Sequence, residues 1–424
     1  MSALSVFTND VSMNRRLNVG GNITARNANF SGAVNFTGLT AVTGNLTAGN
    51  ANITGTAIIK DISVNGNLSV ARPAKFNQGL IVSGSIQASA GTFSENISLA
   101  KGMIVVGDAS FSKGVAITQN ANVGGKLTTN AAAVRTTLDV SGASIFVGKM
   151  VARSDLSANG NISLGGALVV RGASTLTGKV TAIDDLSANK NLAVGGNAAV
   201  RGTLAVTGPS TFTGKVTAID DLSANKNLAV GGNTAVRGTL AVTGSSTFTG
   251  SSNFTGAATF NGLSTVRGKL TAAADLSANR NFSLGGNAAI NGMMEITGES
   301  YLYNTLSVDG VSTFASTVVA GADVSANGTL SLAGDAVMGG ALTVAGASDL
   351  QSTLAVAGDA TLSGALAVVG ASDLQSTLAV AGVSTFASTI VAGADLSANS
   401  TLSLAGDAVM GGALAVVGAS DLQS

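Results

Sequence analysis

The chain has 424 residues, of which 10% are charged and 4% aromatic, and it contains no Trp, His or Cys. Disulfides, thiolate metal centres and a histidine general base are thereby excluded, and a hydrophobic content of 45% is too high for a disordered chain. The 22 basic and 22 acidic residues give zero formal net charge and read as thinly spread, with no basic stripe to follow phosphates, so no nucleic-acid partner is expected.

The first sixteen residues, MSALSVFTNDVSMNRR, lack the basic start and apolar stretch of a signal peptide, which points to assembly in a cytoplasm. No apolar run in the chain approaches the ~20 residues of a membrane helix, so no membrane insertion is expected. Leu4, Val6 and Phe7 fill no obvious repeat, and Arg15 and Arg16 form a doubled charge. Residues 1–16 are therefore expected to form a separate N-terminal tip that anchors the protein to a partner.

Residues 17–137 carry six-residue repeats whose register slips. Hexads run through Leu17 and Ile23, resume at Val34, Thr40 and Leu46, and resume again at Ile62, Leu68, Ala74, Leu80 and Ile86. A further set runs from Ile97 through Met103, Ala109, Val115 and Leu127 to Ala133. A one-residue slip inside a strand would turn its apolar face outward, so the slips are expected in corners.

Residues 138–424 hold the register without a break. The twenty-residue stretch GKVTAIDDLSANKNLAVGGN begins at Gly178 and again at Gly214, and the Asp-(Leu/Val)-Ser-Ala-Asn motif recurs only at multiples of six. Each hexad has apolar or small residues at positions one and three, commonly Gly at five, and Asn, Asp, Lys or Thr at six. The alternation sets positions one and three on one strand face. Gly at five is expected to supply a positive φ at a tight corner, and position six is expected to stay in water. Positions one and three also trade volume. Leu204/Val206 and Leu240/Val242 contrast with Ser210/Phe212, Ser312/Phe314 and Ala336/Met338, while Phe282/Leu284 breaks the rule. Such a trade suits a narrow, close-packed core of constant cross-section.

The fold class expected is an all-β hexapeptide-repeat solenoid. It takes the form either of an intertwined homotrimeric triple β-helix, the preferred reading because the volume trade lets three large residues meet on an axis, or of a single-chain left-handed β-helix. At about 4.8 Å per stacked strand these would extend roughly 340 Å and roughly 110 Å.

The stretches TNDVSMNRRLNVGGNITA, DLSANGNISLGG and DVSANGTLSLAGD resemble the Asp-Val-Ser-x-Asn-x-x-Leu-x-Val-x-Gly arrays of repetitive fibre proteins of large algal DNA viruses and marine phages. The resemblance covers nearly the whole chain. It implies a virion fibre, tail fibre or spike shaft, trimeric, anchored at its N-terminus to a capsid or tail protein and supporting host attachment. Such fibres end in a receptor-binding head, which this sequence does not show. The chain stops at GASDLQS, a stretch that internally continues into TLAVAG, so more hexads and a distal head are expected beyond it.

No catalytic, cofactor or metal residues stand out. The segment 208–216, GPSTFTGKV, has five residues between its glycines where a phosphate-binding loop has four, and Val216 follows Lys215 where Ser or Thr is needed. Asp184–Asp185 and Asp220–Asp221 fall at corners, where trimer symmetry could gather carboxylates for Ca²⁺ but solvated corner residues are the simpler reading. The Thr-x-Thr pairs following Ser174, Ser210 and Ser246 resemble those of ice-binding solenoids but are scattered. The sequons at Asn22, Asn45 and Asn161 arise when Asn precedes a hexad. The reading is a non-enzymatic structural shaft, with a cell-surface adhesin or extracellular filament subunit as the alternative.

Overall fold

The computed structural model describes residues 4–423 apart from 8, 10, 14, 15, 73, 77–79 and 96. The chain divides into two compact units, Met1–Thr213 and Gly214–Ser424. All regular structure among the described residues is β-strand, and no helix among them is long and apolar enough to cross a membrane. Each unit is a parallel β-solenoid. In the first, Leu138 pairs with Leu156, Leu156 with Ser174 and Ser174 with Leu192. In the second, Leu228 pairs with Ser246, Ser246 with Ser264 and Ser264 with Phe282. Three hexads thus make one coil, and each strand stacks on the strand three hexads earlier.

The local cause is the alternation. In Leu168–Val170 and Leu330–Leu332 positions one and three are buried and position two is half-exposed. The volume trade packs this core. Phe248, Phe254 and Phe260 come from three successive hexads, one on each face of a coil, and their rings meet edge-on or tilted at 5.9–6.3 Å between centroids. They fit because Ser246, Ser252 and Ala258 at position one are small. The buried serines carry a polar cost, however. The hydroxyls of Ser174, Ser210, Ser312 and Ser384 have no hydrogen-bond partner, whereas Ser246 Oγ donates to Ser264 Oγ at 3.0 Å.

Corner chemistry differs from the sequence-based expectation. No described glycine has a positive φ. Position five is glycine because successive corners stack backbone on backbone. A Cβ on Gly178 would lie 2.3 Å from the carbonyl oxygen of Gly160 one coil earlier. Position six does more than stay in water. Asn161 Oδ1 accepts from the Lys179 N–H at 2.9 Å, and Asp155 Oδ1 from the Ala173 N–H at 2.8 Å, so these side chains tie each corner to the next.

Between residues 17 and 137 coils of three full hexads, as from Ile97 to Val115, alternate with shorter ones. Leu46 pairs with Ile62, Ala51 with Leu68 and Leu80 with Ile97, each return falling one or two positions short of three full hexads. The missing positions come from corners, and the register shifts at Phe30/Ala33, Val42/Asn45 and Phe111/Gly114 mark three-residue corners stacked on two-residue ones. One such corner corrects a residue assignment. The step from Leu127 is five residues, so Ala132 is the buried residue paired with Val115, and Ala133 faces outward.

Strands from residues 1–16, expected to form the tip, join the ladder. Leu4–Phe7 pairs in parallel with Asn22–Ala25, and Val11–Met13 with Ala28–Phe30, so these backbones belong to the solenoid ladder. Arg15 lies outside the described residues, and Arg16 is exposed.

Candidate functional site

The residues singled out by sequence resolve into structural parts. Asp185 Oδ1 accepts from the Thr203 N–H at 2.9 Å and Asp221 Oδ1 from the Thr239 N–H at 2.8 Å, the capping role of position six. Asp184 and Asp220 are exposed beside them. Among the described residues no group of three or more acidic, His or Cys side chains is placed to hold a metal ion. Asn22 and Asn161 use Oδ1 to accept from the backbone amides of Leu39 and Lys179, and Asn45 is exposed. Thr175 pairs with Ser157 on one side and Ala193 on the other, whereas Thr247 pairs with Thr265, which pairs next with Ser283, so outward Thr repeats at most locally in these columns.

The most distinctive surface lies in the first unit and was not anticipated. Position-two residues Ile81, Ser98, Ala116, Ala133 and Val151 stack on successive coils. Because the middle three are small and the larger Ile81 and Val151 stand at the ends, this face is a trough of about 630 Å³. Ile81 is 62% exposed. The shortened corner at Asn130 and Ala131 belongs to the same wall, since Ala131 lines the trough with Gly114.

One edge of this face is basic. The Arg135 N–H donates to Ile117 O, the Arg153 N–H to Val134 O, the Arg171 N–H to Ala152 O and the Asn189 N–H to Val170 O, so Arg135, Arg153 and Arg171 occupy the same corner position on consecutive coils. Lys101 and Lys190 lie in the same series of corners, and Lys149 lines the trough on its opposite rim. All three arginines are exposed. The acid in this corner, Asp155, already accepts the Ala173 amide. Like charges on neighbouring coils repel one another, weakly where the side chains are exposed and screened by water and salt. The Lys113 pair with Glu95, 2.6 Å apart, shows the alternative of neutralisation between coils.

Charge is also divided along the chain, which the expectation of a thin spread did not include. All 22 basic residues fall in residues 1–280 with 11 acidic ones, a net +11, and residues 281–424 hold 11 acidic residues and no basic one, a net −11. The positions could have shown this from sequence, and only the zero total hid it. The stacking of Arg135, Arg153 and Arg171 could not be read without knowing the coil length.

No family model, curated protein or solved structure matches the chain.

Proposed function

We propose that the protein is the non-enzymatic structural shaft of a fibre, in the manner of a viral fibre, tail fibre or spike that projects from a virion surface and supports host attachment. The observation that carries this reading is the three-hexad coil, kept without change from residue 138 onward in both units with the same three-residue faces. Stacked coils with a continuous core and a full backbone ladder convert sequence length into a stiff rod without requiring any special residue. The resemblance of the DVSAN-type arrays to viral fibre repeats supplies the virion assignment, and the N-terminal coils are the proposed attachment to a capsid or tail protein.

The shaft is proposed as a homotrimer with a parallel, in-register threefold axis, on the strength of the volume trade between positions one and three. A single-chain coil is the second reading. It is favoured by one observation, that Phe248, Phe254 and Phe260 of a single coil already supply three rings to one level. Native mass decides between them, since three chains of 41.1 kDa and one are far apart. Negative-stain microscopy of the purified chain tests the shaft itself, with elongated particles of constant width expected. Compact particles would overturn it.

A further inference from the structure

We propose that the basic-edged face of residues 80–171 binds the acidic coils of a second copy of the same chain, side against side. The first observation is the ladder of Arg135, Arg153 and Arg171, stacked on consecutive coils with no ion pair or side-chain hydrogen bond among the described residues to offset their repulsion. The second is the charge division, which gives the same chain an acidic stretch with no basic residue after Arg280. The third is shape. The trough beside the ladder is lined by Ile81, Ala116, Ala133 and Val151, and so accepts an apolar knob between its charged rims.

The acidic coils present such knobs. Val369, 58% exposed, occupies the same series of corners as Asp335 and Asp407, two coils from each, and both carboxylates are exposed. Glu295 and Asp349 point outward from the face beside it. A valine flanked by carboxylates complements an apolar trough flanked by guanidinium and ammonium groups, and complementary charge of this kind fixes register and speeds encounter. Copies aligned in register would set +11 beside +11, so the association is staggered or antiparallel.

The ladder and the trough need coils of one chain stacked directly on each other, so the inference rests on the single-chain form of the shaft reading. The experiment is sedimentation velocity on the full chain from about 0.01 M to about 1 M salt, over which the Debye length falls from about 30 Å to about 3 Å. Wild type is expected to associate laterally at low salt and to dissociate at high salt. The triple variant Arg135→Glu/Arg153→Glu/Arg171→Glu is expected to lose association, and the milder Arg→Gln set to weaken it, with thermal melts confirming the fold of each. Reversal of outward acids that cap no amide, Glu295→Lys/Asp349→Lys together with Asp373→Lys on the strand Ser372–Leu374 that follows the Val369 corner, is expected to abolish self-association too, and mixing the two triple variants is expected to restore it. Association indifferent to salt, no association at low salt, or no recovery on mixing would each overturn the proposal. So would uptake of a sulfated polysaccharide by an arginine ladder that ignores a second copy. Failure of the shaft reading is separate, because it would appear as compact particles in the microscope.

Discussion

Residues 17–137 and the regular coils from 138 onward solve the same packing problem with different corners. The later coils keep three full hexads and stack glycine on glycine, as Gly178 on Gly160. Some earlier coils keep that length, as from Ile97 to Val115, while others fall short by cutting a corner from three residues to two, and strands such as Leu127–Val134 then run through the bend. The burial alternation survives on both sides of that bend. Strand faces are therefore intolerant of a one-residue change while corners absorb it, because only in a strand does one residue reverse inside and outside. The cores differ as well. On the irregular side Phe76, Phe93 and Phe111 stack face to face on successive coils at 5.1 and 4.8 Å, and Gly91 makes room, since a Cβ there would lie 2.5 Å from the Phe93 ring.

The largest effect should come from that aromatic column. Phe93→Ala is expected to cost about 3–5 kcal/mol through the cavity it leaves. Phe314→Ala, in the regular coils, should cost less by about 0.5–1.5 kcal/mol because no ring stacking is lost with it. Equal losses in denaturant unfolding would remove the aromatic distinction between the regions.

Next is the corner itself. Gly178→Ala pushes a methyl against the Gly160 carbonyl and should destabilise by about 1–3 kcal/mol. Gly20→Ala meets nothing nearer than 3.9 Å and should be close to neutral. Similar melting temperatures for the two variants would mean that close approach is not what selects glycine. In the same vein, deleting Gly364 from its corner should resemble a natural two-residue corner, whereas deleting Thr361 from the strand Ala360–Leu362 should unfold local coils in hydrogen exchange.

A smaller effect is expected from the buried serines. Ser210→Ala removes a hydroxyl with no partner and should be neutral or stabilising by up to about 1 kcal/mol, whereas Ser246→Ala breaks a bond to Ser264 and should cost about 0.5–1.5 kcal/mol. Calorimetric melts giving both the same sign would overturn the contrast.

The smallest is a pH effect at corners where serine replaces glycine. Ser352 and Ser376 donate to Asp335 and Asp359, and with the Thr353 and Thr377 amides they hold both carboxyls below the usual carboxylate range. A depressed folded-state pKa contributes stability that is present above the unfolded value near about 3.9 and is lost as pH falls through the lower folded value. The acid limb of the melting curve should therefore shift to slightly higher pH in Ser352→Ala/Ser376→Ala, and an unchanged limb would show these bonds to be unimportant.

Much of the fold was legible because the alternation is local. Leu156, Leu204 and Leu240 at position one, and Phe212 and Phe314 at position three, are assigned inward by period two alone, and all are buried. Ala132 was misassigned because three alanines in a row give no contrast between inside and outside, and the choice fell to the pairing with Val115. The two aspartate pairs were visible in sequence, but their capping role depends on an amide one full coil away. The trough and the arginine ladder were invisible for the same reason.

The sequence by itself determined where strands and corners fall and which side of each strand is apolar, since side-chain direction in a strand depends only on residue parity. The tertiary structure decided what each corner meets. Gly178 is glycine because another backbone passes 2.3 Å from where its Cβ would be, and Arg135, Arg153 and Arg171 form a ladder because three faces close each coil. Both facts depend on the distance along the chain at which a coil returns to the same face, which is set by how many strands enclose the core and not by any one hexad.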